Sequence, residues 1–177
     1  MTVRARRLDN EWALLGQLAE RNPKVVEAVR RETAPDAEIF HVIVHRTSAL
    51  ALAPPHELME FASHPVRFRF PEYYPSVPIE AFLEKPLFHP NIHPDNGFVC
   101  LWDRFSSGDT VVEAVRKLQK VIAWELWNQH AEHVMQPDAV AHPPVAVLPA
   151  EIVRVPGEPA PPSRAGAPYR RRLIVSP

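Results

Sequence analysis

Prolines divide this chain. Twenty-one of its 177 residues are proline, more than twice the usual share of about 5%. Nine fall between Pro54 and Pro94, ten between Pro137 and Pro177, and none between Asp95 and Gln136. Each proline fixes its own φ, removes an amide donor and biases the residue before it toward extended backbone. The distribution therefore predicts three zones: a stiff, turn-rich lead-in, an uninterrupted folded stretch, and a loose tail. Five glycines cannot supply a triple helix. Disorder throughout is excluded by a hydrophobic share of 46% against 23% charged residues. The length fits one domain with a short appendage.

Charge and cysteine remove further classes. Twenty basic residues against twenty-one acidic ones leave a formal charge of −1, which argues against a partner bound through phosphate neutralisation, so no nucleic acid is expected. One cysteine cannot form an internal disulfide framework. The start, Met1 to Arg7, is basic but leads into Leu8-Asp9-Asn10-Glu11-Trp12 rather than an apolar run, so no signal peptide is read there. No run approaches the length of a membrane span, and no membrane partner is expected. The expected compartment is a reducing cytoplasm, and the Ala-, Arg- and Pro-heavy usage has a bacterial character.

Periodicity supplies the elements. Leu8, Trp12, Leu15 and Ala19 recur at helical spacing. Asn22-Pro23 resembles a cap with proline at the first helical position, which predicts a second helix from Lys24 to Arg31, ended by Ala34-Pro35-Asp36. The period then becomes two. Phe40, Val42 and Val44, then Val66, Phe68 and Phe70, then Val77, Ile79, Ala81 and Leu83 each mark a strand with one buried face. A weaker strand is expected in 49–52 or 57–61. From Asp109 or Thr110 to about Trp127 a helical apolar face returns, with Asp109 as the expected N-cap. Past Met135 the patterning fades. Helix, antiparallel strands, an irregular segment and helix make an α+β domain.

The irregular segment, Phe88-His89-Pro90-Asn91-Ile92-His93-Pro94-Asp95-Asn96-Gly97-Phe98-Val99-Cys100-Leu101, holds the chemistry. A lone cysteine with His and Asn close in sequence is a candidate nucleophile. Its ordinary pKa, roughly 8.5, leaves a small thiolate fraction at neutral pH, which suffices against a thioester. A cysteine between Val99 and Leu101 is, on its identity alone, more often a small buried hydrophobe. His89, His93 and Cys100, or His130 and His133, match no established zinc spacing, so neither a metal nor a cofactor is expected.

The same segment resembles the active-site signature of the ubiquitin-conjugating enzymes: His-Pro-Asn, a short Asn/Gly turn, then Cys-Leu. Phe70-Pro71-Glu72-Tyr73-Tyr74-Pro75-Ser76-Val77-Pro78 is similar to that family's Tyr-Pro-x-x-Pro turn. The helix near Asp109 falls where the family places the one after its cysteine. The likeness spans roughly residues 3 to 140.

It implies a transthiolation enzyme with an N-terminal helix, an antiparallel meander and a central helix, the C-terminal helices being reduced or absent. Residues 1–140 would form the catalytic core and 141–177 a Pro-rich extension. Cys100 would accept the C-terminus of a ubiquitin-like modifier from an activating enzyme as a thioester and pass it to an amine, usually a lysine of a target protein. Asn91 would support the active-site loop and stabilise the oxyanion, while His89 and Pro90 brace that loop. Arg4, Arg6 and Arg7 would face the activating enzyme, and Glu132 or Asp138 would gate the acceptor lysine.

Asn91 and Cys100 are nine residues apart, one more than is common in the family. Ser76 and Ser106-Ser107-Gly108-Asp109 replace its ligase-contacting residues, which leaves the ligase open. In this reduced form the chain looks like members of bacterial ubiquitin-like conjugation operons, some of which serve defence against phage. The alternative is a non-catalytic module of the same fold that holds a modifier or partner protein.

Overall fold

A computed structural model describes residues 2–128, 133–155 and 158. The element order is α1 (Val3–Arg21), β1 (Val26–Ala34), β2 (Ala37–Val44), β3 (Ala49–Leu50), β4 (Leu58–Met59), β5 (His64–Pro71), β6 (Glu80–Leu83), β7 (Phe98–Val99), α2 (Val111–Ile122) and α3 (Pro137–Ala141). This is the expected α+β arrangement. Five strands form one antiparallel sheet in the order β1-β2-β5-β6-β7, and β3 pairs with β4 beside it. Beyond α2, the described residues hold only the five-residue α3.

Helix α1 begins at Thr2, whose side chain accepts from the Ala5 amide. Its buried stripe is Leu8, Glu11, Leu15 and Leu18, with Trp12 edge-on to Phe40 at 4.9 Å. The core alternates as the sequence predicts: Phe40, Val42 and Val44 of β2, then Val66, Phe68 and Phe70 of β5, then Ala81 and Leu83 of β6 are all buried. Register follows that pattern, with Phe40 opposite Phe68 and Phe68 opposite Ala81. Both weak-strand candidates are real, and they pair with each other, Ala49 opposite Met59.

The helix expected over Lys24–Arg31 is instead strand β1. Asn22-Pro23 ends α1 rather than opening a new helix: the Asn22 amide and side chain both donate to the Leu18 carbonyl. Chain reversal then lets Val26 pair with Val44 and Ala34 with Ala37, leaving Pro35-Asp36 as a two-residue hairpin loop. A register shift between Ala28 and Arg30 interrupts the alternation. On this edge strand only Val26 is fully buried, so the usual period-two signature is missing.

Helix α2 departs from expectation at both ends. Thr110, not Asp109, is the N-cap: its side chain accepts from the Val112 amide, and Glu113 closes a capping box. The Asp109 carboxylate is taken by the Ser106 amide at 2.8 Å. The helix stops at Ile122, short of Trp127, because Trp124 adopts the left-handed φ of 60° and is buried against Phe88 and His89. Burial of the indole outweighs continuation of the helix, and Leu126, expected on the apolar face, is exposed.

Glu11 joins three elements. It is fully buried, and its carboxylate accepts from the Tyr74 hydroxyl at 2.8 Å, the Val111 amide at 2.7 Å and Arg7 Nε at 2.8 Å. The carboxylate thus meets an orphan amide at the positive end of α2. Burial raises the Tyr74 hydroxyl pKa well above the ordinary tyrosine value, so it remains a donor.

Residues 141–155 lie on the core. Leu148 and Val153 are buried, and the Leu148 amide donates to the Ala123 carbonyl at 2.8 Å. Gln119, buried on α2, donates to the Glu151 carbonyl and accepts from the Val153 amide. Asn22 accepts from the Arg154 amide at 2.9 Å.

Candidate active site

The site is a loop folded back on a two-residue strand. Ile92 bridges Val99, the His93 amide donates to the Phe98 carbonyl at 2.8 Å, and the Gly97 amide returns to the His93 carbonyl at 3.0 Å. Side chains finish the turn: His93 Nδ1 accepts from the Asp95 amide, and Asn96 Oδ1 accepts from the Phe98 amide. Gly97 has φ +71°, and a Cβ there would stand 2.0 Å from the Leu83 carbonyl oxygen. Only glycine fits. Its own carbonyl accepts from the Leu83 amide at 2.9 Å, which fastens the turn to β6.

The next residue but two is Cys100. Its amide donates to the Asn91 carbonyl at 2.8 Å, and Asn91 Nδ2 donates to the Cys100 carbonyl at 3.0 Å. This reciprocal pair closes the nine-residue span and holds the cysteine half-buried rather than in the core. Val99 and Leu101 are buried in the core, while Cys100 between them is half-buried.

His89 sits beneath. It is 1% exposed, its Nδ1 accepts from the Asn91 amide at 3.1 Å, and burial pushes its pKa down to about 3. The ring is therefore neutral, with the proton on Nε2. Among the described residues Nε2 has no hydrogen-bond partner; the ring stands edge-on to Trp124 at 4.5 Å. A neutral, buried imidazole engaged to the backbone cannot serve as a base at the sulfur. Pro90 is buried, and its carbonyl accepts from the Met135 amide at 2.8 Å.

Two participants escaped sequence reasoning. Gln136 is buried and donates to the Leu87 and Ile92 carbonyls at 2.8 and 2.7 Å, fixing the loop from behind. Asn128, just past α2, donates its amide N–H to Asn91 Oδ1 at 2.7 Å. Its side-chain Nδ2 lies 3.7 Å from the Cys100 sulfur. Neither belongs to a pattern, since each reaches its partner across 28 or more positions.

The other expected site residues are spread over the molecule. Arg4 donates to the Phe70 and Pro71 carbonyls, and Arg7 is paired with Glu11 and reaches the Ser107 and Asp109 carbonyls. Of the three arginines only Arg6 is exposed. Asp138 is exposed in the first turn of α3, and Glu132 lies outside the described residues, as does His130. Trp102, immediately beyond Leu101, donates to the Ile79 carbonyl at 2.7 Å, with Lys117 Nζ 4.5 Å above its ring centroid.

Among the described residues no three His, Cys, Asp or Glu side chains gather as a metal site, and no helix is long and apolar enough to cross a membrane. Also among them, the Asn128 side-chain Nδ2 makes the one hydrogen bond to the sulfur. A thiol so placed has the donor for a sulfur-centred negative charge.

No protein-family model matches the chain, and no curated protein matches it. Among solved structures it is similar to S. cerevisiae Ubc12, at 19% identity over 73% of this chain and 68% of that one, with a TM-score of 0.46. It is also similar to human ubiquitin-conjugating enzyme E2 G1, at 23% identity over 64% of this chain and 93% of that one, with a TM-score of 0.42. Likenesses this distant carry no activity with them.

Proposed function

We propose that this protein is a conjugating enzyme of the ubiquitin-conjugating type. Cys100 takes the C-terminus of a ubiquitin-like modifier from an activating enzyme as a thioester and passes it to an amine, usually a target lysine. The observation that carries this reading is the Asn91–Cys100 clamp, which presents a half-buried thiol with the Asn128 side-chain Nδ2 3.7 Å from its sulfur. A thioester is reactive enough to be exchanged and aminolysed without a triad. Asn91 Nδ2 carries a second hydrogen, which we assign to the oxyanion that develops on the thioester carbonyl.

The remaining roles follow the sequence resemblance. Arg6, with Arg4 and Arg7 behind it, faces the activating enzyme, and Glu132 or Asp138 takes the proton of the acceptor lysine. Composition and the single short helix described after α2 favour a cytoplasmic, operon-borne bacterial system, of the kind that serves defence against phage.

The test is incubation with ATP and the modifier and activating enzyme encoded beside the gene. Wild type should form an adduct that is lost on thiol treatment; Cys100→Ala should form none, and Cys100→Ser one that resists thiols. If wild type forms no adduct while Cys100→Ala still binds the modifier, the protein is a non-catalytic holding module.

A further inference from the structure

We infer that Asn128 is a second catalytic amide, acting on sulfur while Asn91 acts on oxygen. The inference rests on Cys100 being the nucleophile and goes beyond that reading by dividing the charge of the reaction between two asparagines. Asn91 has one carboxamide hydrogen on the Cys100 carbonyl, and its oxygen is occupied by the Asn128 amide. It is thereby turned toward the backbone of the cysteine. The group at the reacting atom is the Asn128 side chain, whose Nδ2 is 3.7 Å from Sγ, a normal separation for a donor to the large sulfur atom. Its placement is built in: the backbone N–H of the same residue donates to Asn91 Oδ1 at 2.7 Å. The loop that carries Asn91 thus fixes where the second amide stands.

Sulfur carries negative charge at two moments. On charging, the Cys100 thiol gives its proton to solvent and Sγ attacks the thioester carbonyl carbon on the activating enzyme. A new C–S bond forms, and the old one breaks with its electron pair leaving on the activating enzyme's sulfur. On discharge, the amine nitrogen attacks that carbon, the C–N bond forms, and the C–S bond breaks with its pair returning to Sγ. The amine's proton goes to the lysine-gating carboxylate or to solvent. In both steps Nδ2–H of Asn128 donates to anionic Sγ, and a donor to an ion is worth more than one to a neutral thiol. The side chain therefore favours the reactive state over the resting one.

Alkylation of Cys100 by iodoacetamide tests this with no modifier, activating enzyme or ATP. Cys100 is the sole cysteine, so the measured rate is its own. The 128 amide survives substitution, leaving its bond to Asn91 available in both variants. At pH 7 Asn128→Ala should alkylate about tenfold more slowly than wild type. Asn128→Asp, of the same shape but with a carboxylate at the sulfur, should be slower still. Alkylation of either variant at the wild-type rate overturns the assignment. The isosteric Asn128→Asp carries the test if thermal melts show Asn128→Ala to be unfolded. Absence of a modifier adduct in wild type, with this order of alkylation rates intact, would overturn the conjugating activity and leave the amide–sulfur assignment standing.

Discussion

Asn91 and Cys100 hold each other twice: the amide of Cys100 donates to the carbonyl of Asn91, and the carboxamide of Asn91 donates to the carbonyl of Cys100. Asn91 is buried, so losing its side chain leaves the Cys100 carbonyl and the Asn128 amide without partners. Asn91→Ala should cost about 2–3 kcal/mol in urea unfolding, the usual penalty for orphaned polar groups. It should still form the thioester but discharge it to free lysine about tenfold more slowly. Equal losses in charging and discharge would reduce Asn91 to a folding role.

His89 makes the fold acid-sensitive. Burial lowers its pKa from 6.5 to about 3, so below about pH 6.5 the unfolded chain takes up a proton that the native ring refuses. The unfolded state binds more protons there, and stability falls as pH drops from about 6.5 toward 3, by about 4 kcal/mol over the whole window. His64, also buried with its pKa lowered, pulls in the same direction. His89→Gln offers an oxygen to the Asn91 amide without titrating. Urea midpoints at pH 7, 5 and 4 should therefore fall less steeply in His89→Gln than in wild type. Parallel slopes would show that the ring becomes protonated in the native state.

Ending the chain after residue 140 should destabilise it although Cys100 is untouched. The cut removes Leu148 and Val153 from the core and strips Gln119 of both its backbone partners. Loss of two buried aliphatic side chains predicts a deficit of roughly 3 kcal/mol or more, read as a drop of about 10 °C in Tm for a domain of this size. An unchanged Tm would mean that the contacts of residues 141–155 contribute nothing net.

The parts legible in the sequence are those with one buried and one exposed face. Strands β2 and β5 announced themselves because Phe40, Val42, Val66 and Phe68 alternate against solvent-facing partners, and α2 because its apolar stripe is continuous. Strand β1 reads as helix in the sequence because the irregular pairing between Ala28 and Arg30 removes the alternation and its edge position leaves only Val26 fully buried. The end of α2 has no signal in the sequence because the turn at Trp124 is set by burial against Phe88 and His89, which are distant along the chain. The same holds at the site. Cys100, Asn91 and His89 lie in one short segment and could be read together. Asn128 and Gln136 reach that segment by single hydrogen bonds across long separations, and such bonds leave no period or composition to read.

Gly97 also divides what can drift in this site from what cannot. Asp95 and Asn96, at the exposed tip of the hairpin, could be exchanged in a saturation library at small cost where the turn is kept, since nothing of the core rests on them. One position on, any side chain collides with the Leu83 carbonyl. Selection for a new surface at the tip would therefore proceed while Cys100, three residues further on, stayed in register. Change at the tip and register at Cys100 are uncoupled here by a single residue that has no side chain.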